Sequence, residues 1–336
     1  MRAYRFTDPS KGLEYTEVPI PVTQNNQVLV EVRAVGLCHT DCNIISGDDN
    51  TFFWKRPITL GHEIAGVVVE IGSDVTKFKV GDRVLSIIGT QHPITFADVT
   101  STASIGYDGG FAEYAALFES KALHIPEGVT FPQAAVATDA VATAYHAVVV
   151  EGQITAASKF AIIWLGGLGL SAAQIASLYG AKVYGIERNK RKYGVAAQAG
   201  VHASAKSFDG FPGIRFDVVV DFVGTGYTTT AAAKAVKPGG KVVLVGLGGK
   251  RTMVDTHEFV AAGVTLKGSA GSTADEVEKS LQMIANKQIN LFFEEVPFGE
   301  IKEQLERLAE GNVGWLVHRH AYDSVHWDHL NLRHLQ

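Results

Sequence analysis

The chain has only two cysteines, Cys38 and Cys42, in 336 residues. Two thiols that close together cannot build a disulfide framework, and they fit a reducing compartment. No uninterrupted apolar run reaches the roughly 18 residues that a membrane-spanning helix needs, so no membrane partner is expected. The start, MRAYRFTDPSKGLEY, lacks the apolar core of a signal peptide, and a cytoplasmic protein is expected. Basic runs are missing beyond Lys190-Arg191-Lys192, and 35 acidic residues outnumber 30 basic ones for a formal charge of −5. Nucleic acid is not expected as a partner. Internal repeats and low-complexity stretches are also lacking. The 46% hydrophobic and 19% charged residues describe a folded chain, not a disordered one. Its length calls for about two domains.

The first 125 residues are β-rich. Gln27–Val35 alternates apolar and polar side chains as a half-buried strand does. Ile64–Gly72 is a β-branched run closed by glycine, and Val80–Leu85 follows a turn. Short strands at such spacing predict a barrel-like or sandwich-like domain. After about residue 145 the pattern changes. Strands are predicted at 160–163, 182–186, 217–222 and 241–245. A helix over Ser171–Tyr179 and an alanine-rich segment, 230–236, lie between them, and a helix over 275–286 leads out. This alternation predicts a doubly wound parallel sheet. From Leu291 the chain is expected to return to the first domain, with an amphipathic helix over 301–310 and a short strand at 314–317. Five of the twelve histidines fall in the last stretch, HRHAYDSVHWDHLNLRHLQ. Their spacing matches no metal-ligand pattern, and they read as an exposed tail.

A strand, a glycine cluster, a helix and an acid at the end of the next strand make up a dinucleotide-binding unit. Here the glycines are Gly166, Gly167 and Gly169. The acid is Glu187, 18 residues beyond Gly169. A carboxylate there binds ribose hydroxyls and repels a 2′-phosphate, which favours NAD(H) over NADP(H). One position departs. The first glycine of the G-x-G-x-x-G register is Trp164, where a tight turn beside the pyrophosphate is normally made. The indole is expected in the diphosphate slot.

In the β-rich part, Gly36-Leu37-Cys38-His39-Thr40-Asp41 and Gly61-His62-Glu63 bring together thiol and imidazole, donors that suit zinc. Singly, Cys38 reads as a small buried hydrophobe and His62 as a core histidine. Together, ahead of a dinucleotide unit, they point to a metal site. At this point the chain resembles the zinc-dependent medium-chain alcohol dehydrogenase family. The resemblance rests on GLCHTD (36–41), PITLGHEIAGVVVEIGSDVTKFKVGDRV (57–84), GYDGGFAEYA (106–115), GGLGLSAAQIA (166–176) and VVDFVG (219–224), and covers nearly the whole chain. It implies an α/β protein with a GroES-like, β-rich catalytic domain over 1–145 and 290–336 and a Rossmann domain over 146–289. Cys38 and His62 would be zinc ligands, with Glu63 a transient or supporting carboxylate and Asp41 orienting His62. Thr40 would relay the substrate's proton, while Asn43 stands where some members have a relay histidine. The third ligand is usually a cysteine. Here Asp139 occupies that place, as a carboxylate ligand or as a helix N-cap. The second, structural zinc of the family needs four cysteines, and 88–110 has none. One zinc per chain is expected.

His39, Thr143, Glu187 and Lys192 match the family's cofactor-binding positions. Gly314-Trp315-Leu316-Val317 departs again, because the arginine that usually contacts the diphosphate is Trp315. Two readings follow. In one, the chain is a zinc-dependent oxidoreductase that interconverts an alcohol and a carbonyl with NAD(H). In the other it keeps zinc and loses the dinucleotide, Trp164 and Trp315 filling the slot, and catalyses an elimination, isomerisation, cyclisation or hydrolysis. The substrate would be a small molecule, apolar or aromatic if Phe52, Phe53 and Trp54 line its cleft. A homodimer is expected from the family.

Overall fold

The structure is a computed structural model that describes residues 1–47, 56–311 and 315–319, the last five in backbone only. Phe52, Phe53, Trp54, Gly314 and the histidine-rich tail lie outside the described residues, as does the side chain of Trp315.

Six parallel strands form one sheet in the order Val201–Ala205, Lys182–Ile186, Lys159–Ile163, Phe216–Asp221, Val236–Leu244, Thr265–Gly268. Winding starts in the middle, at Lys159–Ile163, and runs outward in both directions. The switch between Lys159–Ile163 and Phe216–Asp221 leaves a crevice at the strands' carboxyl ends, where α/β folds bind ligands. Phe160, Ala161 and Ile162 are fully buried, as a strand covered on both faces requires. The helix after it runs from Gly167 to Leu178 and so begins a turn before the predicted Ser171. Periodicity misses that turn because glycine carries no helix propensity. It is helical because the backbone approaches its strand closely: a Cβ on Gly169 would lie 2.1 Å from the Trp164 carbonyl oxygen.

The second large sheet is built on Gln27–Leu37. That strand pairs antiparallel with Glu63–Ile71, Tyr114–Phe118 and Trp315–Arg319, and Phe293–Val296 joins parallel to the last of these. Arg83–Ser86 and Ala122–His124 extend the other side. A helical stretch over 131–151 bridges the two sheets. Thr130 caps its start, with Gln133 closing a reciprocal capping box. Its alanines and valines pack in one core with Ala34, Ala65 and Leu85 of one sheet and Phe160 and Ile162 of the other.

The lobe over 88–110, which has no cysteines, is organised by a buried ion pair instead. Lys121 Nζ lies 2.8 Å from Asp98 Oδ1 and donates to the Ile88 carbonyl at 2.6 Å. Asp98 also accepts from Thr90 and from both the amide and hydroxyl of Thr95. Burial alone would raise the Asp98 pKa, but the bonds from Lys121, Thr95 and Thr90 hold it below the ordinary carboxylate range. Its stabilising contribution is therefore complete above that ordinary range and is lost as pH falls through the depressed value. Replacing Lys121 with Met strands the carboxylate. Lys121→Met is expected to cost about 3–5 kcal/mol in denaturant unfolding, whereas a loss below about 1 kcal/mol, the scale of surface pairs, would show that the pair does not organise the lobe.

Candidate metal centre and the adjoining glycine turn

The inner end of the Gln27–Leu37 strand leads directly into the helix His39–Ser46. Cys38 caps that helix: its sulfur accepts from the Thr40 amide at 3.5 Å, and Asp41 reaches back to the Cys38 amide at 3.3 Å. The capping box thus fixes Cys38 and Asp41 in one turn. Asp41 is fully buried and also accepts from the Gly61 amide at 3.3 Å, which ties the turn to the neighbouring His62. Across the sheet, Gly36 faces Glu63. A Cβ on Gly36 would lie 1.9 Å from Glu63 Oε2, so the glycine is what lets this carboxyl fold over the strand.

Asp139 arrives from the helical stretch. It sits in a wide π-helical turn, Ala137–Val141. Such turns are frequently found at functional sites. The alternative of Asp139 as a helix N-cap is corrected here: Thr130 is the cap, and the chain is already helical on both sides of Asp139. Thr143, one turn on, donates its hydroxyl to Asp139 Oδ1.

Donor atoms of Cys38, His62, Glu63 and Asp139 all lie within 4.8 Å of one another. Cys38 Sγ is 3.7 Å and His62 Nε2 is 3.4 Å from Asp139 Oδ2. The other ring nitrogen, His62 Nδ1, faces Asp41 Oδ1 at 3.7 Å and makes no hydrogen bond. Burial opposes a charge on His62, yet Asp41 and Asp139 raise its pKa well above the ordinary value. Burial, with Asp139 alongside, pushes Glu63 well above the carboxylate range, and burial lifts the Cys38 thiol to about 11. Asp139 is held below its ordinary value, because bonds from His62 and Thr143 outweigh its burial. One sulfur, one imidazole and two carboxylates, converging and poor in cations, fit a divalent ion of the zinc class. Thr40 borders this cluster, its Oγ1 3.5 Å from Cys38 Sγ. Cys42 takes no part: its thiol donates to the Leu305 carbonyl at 3.4 Å.

The glycine turn lies next to this centre. Trp164 has φ +76°, a left-handed conformation that a bulky side chain rarely adopts. Its indole covers Gly166, the N-terminal cap of the helix Gly167–Leu178: a Cβ on Gly166 would lie 2.3 Å from Trp164 Cη2. His39 meets the indole edge-on, 5.7 Å between ring centres, and Lys192 Nζ stands 5.4 Å from the ring. Glu187 gives its oxygens to the turn itself, accepting from the Leu165 amide at 3.1 Å and the Asn189 amide at 2.9 Å, with Lys192 at 3.8 Å. Trp164 and Glu187 form one wall of a cavity of about 1150 Å³, which Arg188, Lys206 and Thr225 also line.

The residues singled out in the sequence thus form two adjoining groups, Cys38–Thr40–Asp41–His62–Glu63–Asp139–Thr143 and His39–Trp164–Gly166–Glu187–Lys192. Sequence reasoning missed the packing of Lys192 over the Trp164 ring and of His39 edge-on against it. Only the bulk of Trp164 at a glycine position hinted at it.

Known proteins agree with this architecture. Residues 24–127 match the alcohol dehydrogenase GroES-like domain, and residues 167–286 match the zinc-binding dehydrogenase domain. An alcohol dehydrogenase of Geobacillus stearothermophilus is 30% identical over 94% of this chain and 98% of its own. The D-arabinose 1-dehydrogenase (NADP(+)) of Saccharolobus solfataricus is 27% identical over 92% of this chain and 93% of its own. Acetophenone reductase from Geotrichum candidum, solved in complex with NAD, superposes with a TM-score of 0.86 at 28% identity, covering 95% of this chain and 96% of that one. The GroES-like sheet, the doubly wound Rossmann sheet and this full-length likeness establish that the chain belongs to the zinc-type medium-chain alcohol dehydrogenase family.

Proposed function

We propose that the protein is a zinc-dependent oxidoreductase that interconverts an alcohol and a carbonyl, with a nicotinamide cofactor as hydride partner. The observation that carries this reading is the convergence of Cys38, His62, Glu63 and Asp139 within 4.8 Å. Cys38, His62 and Asp139 would hold one zinc, Glu63 supporting them. Bound there, zinc supplies a Lewis acid for the substrate oxygen. Asp41, 3.7 Å from His62 Nδ1, would orient the ring from behind and leave Nε2 for the ion. Thr143 orients Asp139, and Thr40 would exchange a proton with the substrate oxygen. Asn43 offers no titratable group, so the proton passes onward by water.

Residues 1–145 and 290–336 serve as the catalytic domain and 146–289 as the cofactor domain in this reading. The cofactor's adenosine would take the cavity beside Glu187, and NAD(H) is the form proposed. Support comes from the acetophenone reductase neighbour, similar over 95% of this chain, which was solved in complex with NAD. A small, apolar or aromatic substrate and a cytoplasmic location complete the proposal. Among the described residues no helix is long and apolar enough to cross a membrane.

One observation favours a second reading, in which no dinucleotide binds and zinc serves a non-redox elimination, isomerisation, cyclisation or hydrolysis. A helix N-terminus is a phosphate site, and here the Trp164 indole covers it. The oxidoreductase reading requires the indole to leave Gly166 when cofactor enters. Titration with NADH, followed by nicotinamide fluorescence, separates the two. Saturable binding by the wild type, tightened roughly tenfold or more in Trp164→Gly, about 1.4 kcal/mol, is expected. No binding at millimolar NADH or NADPH would sink the oxidoreductase reading and leave the second.

The ligand assignment has its own test. Asp139→Ala is expected to weaken zinc binding at this centre by more than about 100-fold, measured by competition with a chelator, while Asp139→Cys retains the ion. Unchanged affinity in Asp139→Ala would remove Asp139 from the ligands.

A homodimer is part of the same proposal. Thr265–Gly268 is an edge of the six-stranded sheet, and Leu266 and Val260 beside it are 38% and 80% exposed. An open edge with apolar side chains invites pairing with a second copy. Light scattering is expected to give twice the mass of one chain, reduced to one by Leu266→Asp; a monomeric wild type would contradict it.

A further inference from the structure

A second convergence of metal-binding side chains lies away from the first. His92 comes from the 88–110 lobe, His146 from the helical stretch over 131–151, and Glu276 from the helix Ala274–Ala285. His146 Nδ1 is 2.8 Å from Glu276 Oε1, and His92 Nε2 is 3.2 Å from Glu276 Oε2. Donor atoms of the three residues lie within 4.8 Å of one another. Tetrahedral zinc with bonds of about 2.0–2.1 Å places its donors roughly 3.3 Å apart, so little movement is needed to close on an ion.

We propose that His92, His146 and Glu276 form a second metal site, for a divalent ion of the zinc class, that pins the cysteine-free lobe to the parallel-sheet domain. Two imidazoles and one carboxylate suit zinc and its first-row neighbours, whereas magnesium and calcium take oxygen donors. The surroundings of His146 carry the proposal beyond a simple cluster. Its other nitrogen, Nε2, faces Glu151 Oε1 at 3.4 Å, and Glu151 is in turn 3.4 Å from Lys267 Nζ. A carboxylate behind an imidazole fixes the tautomer, leaving the opposite nitrogen free to ligate; metal-bound histidines almost always have such a partner.

Glu276 is likewise prepared. The Thr273 amide donates to its Oε2 at 2.7 Å, in the capping box of its helix. Burial would raise its pKa, but the bonds from His146 and Thr273 bring it down to about 2, so the carboxylate is ionised throughout the neutral range. His146 is 2% and Glu276 8% exposed in their side chains, while His92, at 21%, marks the side from which an ion enters. The two rings are stacked, 3.6 Å between centres and 19° between planes. A proton shared within the cluster is the alternative occupant, and the experiment separates it from a metal.

The full-length chain is stripped with chelator, reloaded with excess Zn²⁺, desalted and counted by elemental mass spectrometry. Two ions per chain are expected for the wild type and one for His92→Gln, whose partly exposed side chain is replaced without opening the core. Reloading with Co²⁺ adds a second readout. In a Cys38→Ala/Asp139→Ala variant, d–d absorption without thiolate charge transfer is expected to remain, and His92→Gln in that background is expected to abolish it. Equal metal content in wild type and His92→Gln overturns the proposal, whether both hold one ion, as with a proton at the cluster, or both hold two, as with an ion elsewhere. Failure of the Cys38 centre is distinct, since it leaves an ion that only the His92 substitution removes.

Discussion

Most of the architecture around Cys38 answers one electrostatic constraint: a thiol, an imidazole and three carboxyl groups are gathered out of water where two strands and a helical stretch meet. Removing several ionisable groups from water costs several kcal/mol per ion unless an opposite charge is supplied. His62 is the one basic side chain in the cluster, and it faces both Asp41 and Asp139. With protons alone the groups resolve into a compromise, Cys38 and Glu63 driven toward neutrality while Asp139 stays charged. A divalent cation would let all the donors ionise at once. The supporting features serve that end. Gly36 leaves room for Glu63, the capping box fixes Cys38 against Asp41, and the wide turn brings Asp139 in from another element.

The glycine turn obeys a different constraint, local sterics against packing. A left-handed backbone at a non-glycine residue costs on the order of 1–2 kcal/mol. Trp164 offsets that cost by placing its ring against Gly166, His39 and Lys192. The result is a contact between the first turn of the His39–Ser46 helix and the first turn of the Gly167–Leu178 helix. An aromatic ring therefore stands where a helix N-terminus would otherwise attract an anion, and it also joins the two sheets' site-bearing ends. Any ligand entering that turn must replace both functions.

Legibility in the sequence followed how local each feature is. Cys38, Asp41, His62 and Glu63 could be found because a strand end and two short motifs hold them, with chemistry and spacing visible in a few residues. Strands such as Lys182–Ile186 were equally plain, being short β-branched runs with turns on either side. Asp139 was accessible only through resemblance, because nothing in its neighbours signals a widened helical turn. The true start of the Gly167–Leu178 helix escaped periodicity, since packing, not propensity, makes its glycines helical. Glu187 shows the opposite limit: its place just after the Lys182–Ile186 strand is legible, but the bonds it makes to the Leu165 and Asn189 amides depend on a loop conformation no spacing rule contains. Glu276 lies 130 residues from His146 and 184 from His92, so only the fold brings them together.

The lobe over 88–110 joins these strands of thought. Four closely spaced thiolates around zinc would hold such a loop by local covalent geometry, indifferent to what packs outside it. Here the loop depends instead on residues far along the chain, Lys121 reaching Asp98 and Ile88 from outside, and Glu276 reaching His92 from the parallel-sheet domain. A lobe fastened in this way is coupled to the position of the other domain, because the Glu276 helix cannot shift without releasing His92. His146 lies on the same helical stretch as Asp139, seven residues on, and therefore connects that fastening to the cluster of Cys38, His62, Glu63 and Asp139. The order of the lobe is tied, through the helical stretch over 131–151, to the geometry around Asp139.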